Sequence, residues 1–310
     1  MKYSTTQKTF KDRIISDFKK NKTIYLLVLP VILFYIIFHY IPMYGVIIAF
    51  KKFSLGKGIL ASEWIGFEHF RSFFKSVYFK RVFFNTLRIS ITNILFGFSA
   101  PIILALLINE LRSKTYSRIV QTVTYLPHFI SLVVICGMIV DFTSENGVIT
   151  NFLSLFGMEK TNLLRVPEYF TDIYVVSEIW QGVGWGSIIY LAALTSIDTS
   201  LHEAATIDGA GRWKQVWAID IPCILPTIVT LLVLRMGSVM SVGHEKIILL
   251  YNSLIMEKAD VISSFVYRKG LLESNYSYAT AVGLFNSVIN MMLVIIANAI
   301  SRKVNDISLW

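Results

Sequence analysis

The sequence HEAATIDGAGRWKQVWAIDIPCILP, residues 202–226, decides how this chain is interpreted, because it is a polar two-part segment between long apolar runs. Ser200 and Glu203 have the spacing of a capping box, in which each side chain accepts a hydrogen bond from the other residue's backbone amide. The pattern therefore predicts a short helix that begins here. The helix is predicted to end at Asp208-Gly209, since glycine tolerates the positive φ found at many helix ends.

A second short helix is predicted to begin at Arg212, with Trp213 and Trp217 on its apolar face. The first helix carries Ala204 and Ala205 on one face, where small side chains allow another protein to approach closely. A bent polar segment of this kind suits docking better than catalysis. An ordinary surface helix-turn-helix is the alternative.

The composition indicates an all-α, polytopic membrane protein. Of the 310 residues, 55% are hydrophobic and only 16% are charged, whereas a soluble domain has about 25% charged residues. Several apolar runs reach the length of ~20 residues that a membrane helix needs. This excludes an ordinary soluble enzyme. The net charge of +9 is explained by cationic flanks that orient helices and meet anionic lipid headgroups, so no nucleic-acid partner is expected.

The apolar runs predict six transmembrane helices, at about 24–48, 84–108, 119–141, 172–196, 219–243 and 278–300. Lysine and arginine are about twice as dense on one side of this arrangement, which predicts that both termini are cytoplasmic. The predicted division is a basic tail at 1–23, a membrane domain at 24–301 and a short tail at 302–310, with a cytoplasmic loop at about 197–218. Aromatic and basic residues at 51–83 predict a helix lying in the membrane interface.

One family has residues in the same order as this loop. Glu203-Ala204-Ala205, then Gly209, then Ile219 and Ile221-Pro222 resemble the signature loop of inner-membrane permease subunits of ATP-binding-cassette importers. The fuller form found in maltose-type sugar permeases is matched at Asp208, Gly209, Ala210 and Trp213 and departs from it at Val216 and Ile221. The stretches at 259–271 and 278–290 resemble the branch that serves complex oligosaccharides such as polygalacturonan and alginate.

This resemblance implies a type I importer permease fold in which the loop is a cytoplasmic coupling helix. The residues it implies for ATPase coupling are Glu203, Ala204, Ala205, Asp208, Gly209, Trp213 and Trp217. The implied partners are a second homologous permease, two cytoplasmic ATPase subunits, an extracytoplasmic solute-binding protein, an oligosaccharide and the lipid of a bacterial inner membrane. The chain has no Gly-x4-Gly-Lys-Ser/Thr phosphate loop. No enzymatic activity and no cofactor are therefore expected in it, ATP and Mg²⁺ belonging to the partner ATPases.

Ionisable residues inside membrane helices are costly and are therefore functional candidates. Glu178, Arg235, and His244 with Glu245 stand out, and a structural ion pair between Glu178 and Arg235 is the alternative. Alignment with maltose-type permeases implies a substrate cavity. Its candidates are Glu178, Gln181, Gly182, Arg235, Met236, Met240 and Gly243, joined by Asn286 and Asn290 on one face of the last helix. For the two asparagines, interhelical hydrogen bonding is the alternative, and for Gly182 with Gly186 it is close helix packing.

The sequence thus predicts a permease subunit of an ATP-driven, binding-protein-dependent importer of oligosaccharides. The resemblance to the oligosaccharide branch implies a complex glycan, and the cationic Arg235 would suit an acidic one. Three alternatives stay open: a permease for another solute such as an amino acid or phosphate, an ion-coupled secondary transporter with Glu178 as proton carrier, and a non-transporting scaffold. The sequence leaves open which glycan is carried, its length, and the identity of the partner permease and ATPase.

Overall fold

The chain is almost entirely helical, and the computed structural model describes residues 17, 18 and 20–305. Most of the predicted tail at 1–23 therefore lies outside the described residues. The helices are α1 (Lys22–Phe50), α2 (Gly58–Ala61), α3 (Glu68–Lys75), α4 (Val77–Asn109), α5 (Lys114–Phe129), α6 (Leu132–Phe142), α7 (Val148–Ser154), α8 (Phe170–Thr195), α9 (Thr199–Ile207), α10 (Arg212–Met236), α11 (His244–Leu250), α12 (Met256–Ala259), α13 (Ile262–Tyr267) and α14 (Tyr276–Asn305). There are also short 3-10 helices at Leu163–Arg165 and Pro167–Tyr169, a π-helical turn at Arg268–Leu272, and two short strands, β1 (Lys51–Lys52) and β2 (Glu63–Trp64).

Length and composition alone identify most of the predicted membrane spans. Among the described residues, four helices qualify (α1, α4, α10 and α14), and α5 with α6 makes a fifth if the bent pair is one span. The remaining predicted span, α8, has 26 residues. At about 39 Å it is longer than the ~30 Å hydrocarbon core. Its polar residues, among them Asp172, Glu178 and Gln181, make it less apolar than the other five.

Three of the predicted helices differ clearly from the observed ones. The one predicted at 84–108 begins at Val77, seven residues earlier. The helix predicted at 119–141 is not one straight rod, because α5 and α6 meet at an angle of 101°. Pro127 lacks a backbone donor, and Ser131 caps the new helix by accepting from the Val134 amide at 3.4 Å. The helix predicted at 219–243 begins earlier, at Arg212, because a π-helical turn at Val216–Asp220 continues into it without a break.

The aromatic segment at 51–83 is not a single interfacial helix. β1 and β2 pair antiparallel, with Lys51 opposite Trp64, and α3 follows. Phe73 of α3 is 1% exposed and contacts Phe265 and Phe285, with ring centroids 6.1 and 5.7 Å away. Phe73 therefore packs this segment against α13 and α14.

α8 is the central helix and packs against α4, α5 and α10. Its closest approach to a neighbour is at Gly184, where an added Cβ would lie 2.2 Å from the backbone oxygen of Thr124 in α5. At Gly186 an added Cβ would be 3.0 Å from Pro101, whereas at Gly182 it would meet nothing within 4 Å. The packing interpretation therefore holds for Gly186 but not for Gly182, and the sequence analysis did not select Gly184.

The chain leaves the helical pattern between α10 and α11. Asn290 of α14 fixes this segment: its Oδ1 accepts from the Met240 amide and its Nδ2 donates to Ser241 Oγ, both at 2.9 Å. α11 then packs against α6 and α13. As a result, Lys246 near the start of α11 faces α8.

Candidate functional site

The polar loop predicted at about 197–218 folds into α9, a tight turn and the start of α10. Asp198, not Ser200, is the N-cap of α9, and its Oδ1 accepts from the Ser200 amide at 3.0 Å. The predicted capping box of Ser200 and Glu203 is wrong because the helix begins at Thr199. Hydrogen bonds from the Ser200 backbone, and then from its side chain, lower the pKa of the Asp198 carboxyl.

The turn after α9 has the predicted glycine geometry. Gly209 has φ +75°, a conformation that is easy only for glycine. The Gly209 amide donates to the Thr206 carbonyl at 3.0 Å, and the Ala210 amide donates to the Ala205 carbonyl at 2.9 Å. These bonds satisfy carbonyls at the end of α9, so the chain reverses there. The prediction of a helix break at Asp208-Gly209 is confirmed.

A hydrogen-bonded network joins α9 to the first turns of α10. Gln215 Nε2 donates to the Ala210 carbonyl at 3.0 Å and to Thr206 Oγ1 at 3.1 Å. The other amide atom, Oε1, lies 3.3 Å from Nδ1 of His202, and Nε2 of His202 lies 3.3 Å from a carboxylate oxygen of Asp220. Asp220 is only 1% exposed, and neither of its carboxylate oxygens has a hydrogen-bond partner among the described residues, so its contact with His202 is a charge contact at the inner end of the network.

The outer face of this turn is open. Six of the seven predicted coupling residues are exposed and Ala205 is half-buried. Trp213 and Trp217 lie in the first turns of α10, not in a separate helix of the loop. Ile207, which sequence reasoning did not select, is 87% exposed at the end of α9. A large apolar side chain this exposed beside a rigid turn marks a surface for interaction.

A polar cavity of ≈ 280 Å³ lies between α4, α8 and the segment from the end of α10 to α11. Four of the predicted cavity residues line it, namely Glu178, Gln181, Arg235 and Gly243. His244 and Glu245, two ionisable candidates from the sequence, line it too, as do polar residues that were not predicted: Ser90, Asn93, Tyr174, Ser238, Ser241 and Lys246. The non-helical segment therefore brings to α8 groups that lie far from it in sequence.

The charges at this cavity are paired differently from the predicted alternative. Glu178 pairs with Lys246 at 3.0 Å, so the alternative of a Glu178 pair with Arg235 is wrong. The Lys246 side chain is 4% exposed and that of Glu178 is 41% exposed. Nζ of Lys246 also lies 4.8 Å from the ring centroid of Tyr174. Arg235 is exposed and makes no ion pair within the described part of the chain.

The other predicted cavity residues lie elsewhere. Gly182 and Met236 do not line the cavity. Met240 is 1% exposed and packs in an apolar cluster with the buried Phe265, so it faces the core instead. Asn290 makes the interhelical hydrogen bonds described above, and Asn286 lines a separate cavity of ≈ 590 Å³ between α13 and α14.

A second cluster of charges ties α4 to α13. Asp260 is 0% exposed and lies 3.0 Å from Arg81 and 2.7 Å from Arg268. Ser264 Oγ donates to Asp260 Oδ1 at 2.8 Å, and Asn85 Nδ2 donates to the Asp260 carbonyl at 2.9 Å. No local sequence pattern predicts this cluster, since Arg81 and Asp260 are 179 residues apart.

The chain belongs to the family of binding-protein-dependent transport system inner membrane components, whose model matches residues 94–306. It is therefore a membrane translocation subunit and not an enzyme. This places it in the inner membrane and confirms the predicted family.

Two curated relatives and two solved structures match almost the full length of the chain. Protein LplB of Bacillus subtilis (strain 168) is 42% identical over 293 residues, covering 94% of this chain and 92% of the relative. The polygalacturonan/rhamnogalacturonan transport system permease protein YteP of the same organism is 39% identical over 301 residues, covering 97% and 94%. A chain in the crystal structure of a bacterial ABC transporter involved in the import of the acidic polysaccharide alginate is 46% identical, with a TM-score of 0.87 and coverage of 94% of this chain and 99% of that chain.

The second structure is that of a bacterial alginate ABC transporter in complex with an alginate pentasaccharide-bound periplasmic protein. The matching chain is 45% identical, with a TM-score of 0.88 and coverage of 96% of this chain and 100% of that one. These likenesses confirm the permease fold predicted from the signature loop.

Proposed function

We propose that this chain is one of two permease subunits in an ATP-driven importer of oligosaccharides, with acidic glycans as the favoured cargo. The main support for this proposal is that the protein is 46% identical, over 94% of its length, to a chain of an alginate importer. In this proposal an extracytoplasmic binding protein delivers the glycan and both termini are cytoplasmic. Two ATPase subunits bind ATP and Mg²⁺, and this chain binds no cofactor.

The coupling turn is the segment from the end of α9 to the start of α10, at about residues 206–212. It transmits motion because it is rigidly joined to α10. Gln215 and His202 connect α9 to the first turns of that helix. Arg212 and Arg235 lie on the same continuous helix, about 35 Å apart along its axis. When an ATPase moves the surface around Ile207 and Gly209, α10 moves with it, and the cavity wall at Arg235 moves in turn.

The cavity can bind an acidic sugar through Arg235. A guanidinium group pairs with a carboxylate through two parallel hydrogen bonds. Arg235 is exposed at the cavity, and the nearby Glu178 is paired with Lys246, which reduces its repulsion of an anion. Gln181 and Ser241 supply further groups for sugar hydroxyls. A second, homologous permease would supply the opposite wall of the pathway.

The test is uptake by the complete complex in proteoliposomes, with its binding protein outside and ATP inside. Acidic and neutral oligosaccharides of equal length are compared for the wild type and for Arg235→Gln. Loss of one charge-assisted contact is worth about 1.5–3 kcal/mol, so acidic uptake should fall at least about tenfold while neutral uptake changes little. Arg88→Gln is the control, since Arg88 is an exposed arginine of α4 that does not line the cavity.

The outcomes separate the alternatives. Equal loss for acidic and neutral sugars would refute the role of Arg235 while leaving the importer intact. Uptake that follows a proton gradient and ignores ATP would identify a secondary transporter. Uptake of amino acids or phosphate, with none of any sugar, would identify a permease for another solute.

A further inference from the structure

An apolar groove of ≈ 550 Å³ lies between α4 and the start of α10, and the proposed mechanism does not use it. Ile103 and Leu107 line one wall, and Trp213 and Trp217 line the other. Each pair has the i, i+4 spacing that places two side chains on one helix face. All four side chains are more than half exposed, at 55%, 53%, 74% and 68%.

The groove has the length of one membrane leaflet. Its lining runs from Ser99 to Glu110 on α4 and from Arg212 to Ile221 on α10. At 1.5 Å per residue these stretches are about 16 and 14 Å long. One leaflet of a ~30 Å hydrocarbon core is about 15 Å thick. An extended acyl chain inserted at the mouth would therefore lie against apolar side chains along its full depth.

The mouth of the groove, beside the coupling turn, carries cations. Nη1 of Arg212 lies 3.7 Å from the nearest carboxylate oxygen of Glu110 and 3.5 Å from its carbonyl oxygen. The Arg212 side chain is 54% exposed, so most of its five N–H donors remain available. Arg112, Lys114 and Lys214 are also exposed and lie within four residues of the mouth in sequence. Only Glu110 among the lining residues is acidic.

We propose that this groove binds one acyl chain of an anionic phospholipid of the cytoplasmic leaflet, with the headgroup phosphate at Arg212. Trp213 and Trp217 line the groove near its mouth, and tryptophan favours the membrane interface. The bound acyl chain fills the space between α4 and α10. It stabilises the start of α10, through which the coupling turn moves that helix. The proposal rests on the proposed function only in placing this turn at the cytoplasmic surface.

The experiment measures tryptophan quenching in the complete importer, in nanodiscs that contain phospholipids with brominated acyl chains. The chain has six tryptophans, so the groove signal is the difference between the wild type and the Trp213→Phe/Trp217→Phe variant. Brominated phosphatidylglycerol should half-quench this signal at a mole fraction at least threefold lower than brominated phosphatidylcholine. The readout requires no transport, so a failed uptake assay would leave this result unaffected.

Charge variants locate the headgroup. Arg212→Gln should remove the preference for phosphatidylglycerol, and Arg212→Lys should restore most of it if the loss comes from charge and not from misfolding. Arg302→Gln, which removes an exposed cation near the end of α14, should leave it unchanged. Equal quenching by both brominated lipids in the wild type would mean ordinary annular lipid and would overturn the proposal. No quenching by either lipid would mean that a partner subunit covers the groove, which would also overturn it.

Discussion

The ion pairs of Lys246 and Asp260 differ in burial from the Arg212–Glu110 pair at the surface of the coupling turn. Asp260 is 0% exposed between two arginines, and Lys246 is 4% exposed against Glu178. At the turn, the Arg212 pair with Glu110 is 3.7 Å long and both side chains are exposed by a third or more. Buried pairs lose much when one partner is removed, whereas exposed pairs contribute little. Buried ion pairs therefore stabilise the region around Lys246 and Asp260, whereas the surface of the coupling turn stays available to a partner.

Gly184 and Gly209 are both required, but for different physical reasons. Gly184 is required because the backbone of α5 comes too close for a side chain, and Gly209 is required because its φ is positive. An added Cβ would meet nothing within 4 Å at Gly209. Packing limits the first position and backbone conformation limits the second. The following substitutions test this contrast, beginning with the largest expected effect.

Asp260→Ala should destabilise the protein most, because it leaves Arg81 and Arg268 facing each other without their shared carboxylate. The expected loss is about 3–5 kcal/mol in the free energy of unfolding, measured by denaturant titration in detergent with circular dichroism. Glu273→Ala is the control, since its pair with Lys269 is short (2.6 Å) but Glu273 is 46% exposed. That variant should lose at most about 0.5 kcal/mol. Similar losses in the two variants would contradict the contrast between buried and exposed pairs.

Gly184→Ala should come next, since its Cβ would lie 2.2 Å from the Thr124 backbone oxygen and neither helix can yield cheaply. Overpacking of this kind costs about 1–3 kcal/mol. Gly182→Ala, one helical half-turn away in open space, should be neutral or stabilising by up to about 1 kcal/mol, since alanine favours the helix. The midpoint of thermal unfolding in detergent compares the two. Equal midpoints would show that α5 and α8 do not approach closely.

The Glu178–Lys246 pair should respond unequally to loss of each partner. Glu178→Leu leaves a nearly buried ammonium unpaired, whereas Lys246→Met leaves a carboxylate that is 41% exposed to the cavity. The first variant should therefore lose about 1–2 kcal/mol more in unfolding free energy than the second. The double variant should recover part of the loss, and the cycle gives the coupling energy. Additive losses would mean that the 3.0 Å contact contributes no coupling energy.

Local chemistry explains which parts of this molecule could be predicted from sequence. The break at Asp208-Gly209 depends on one glycine and its neighbours, and the structure confirms it. Glu178 and Arg235 were found as cavity residues because charges are rare in membrane helices. The N-cap was misplaced because both Asp198 and Ser200 can cap a helix. Moving the N-cap by two residues changes only the first turn of α9 and leaves the apolar pattern of the helix unchanged, so that pattern cannot decide between them.

Long-range contacts explain what could not be predicted. Lys246 lies 68 residues from Glu178, in a short helix whose inward face depends on the non-helical segment before it. Pro127 was visible in the sequence, but the 101° bend depends on how α5 and α6 pack against their neighbours. A periodic pattern fixes which face of a helix is apolar and leaves open which distant segment covers it.

An effect of similar size is expected from placing the same side chain at two glycines of the coupling turn. Gly209→Ser puts a Cβ on a residue with φ +75° and should cost about 1–2 kcal/mol in the stability of the turn. Gly211 is the N-cap of α10 and has a φ of −67°. Serine favours the N-cap position, so Gly211→Ser should be neutral or slightly stabilising. Both positions are open to a Cβ, so steric crowding cannot account for a difference. Hydrogen exchange of the α9 amides should therefore rise in the first variant alone. If both variants protect α9 equally, the positive φ does not determine the shape of the turn.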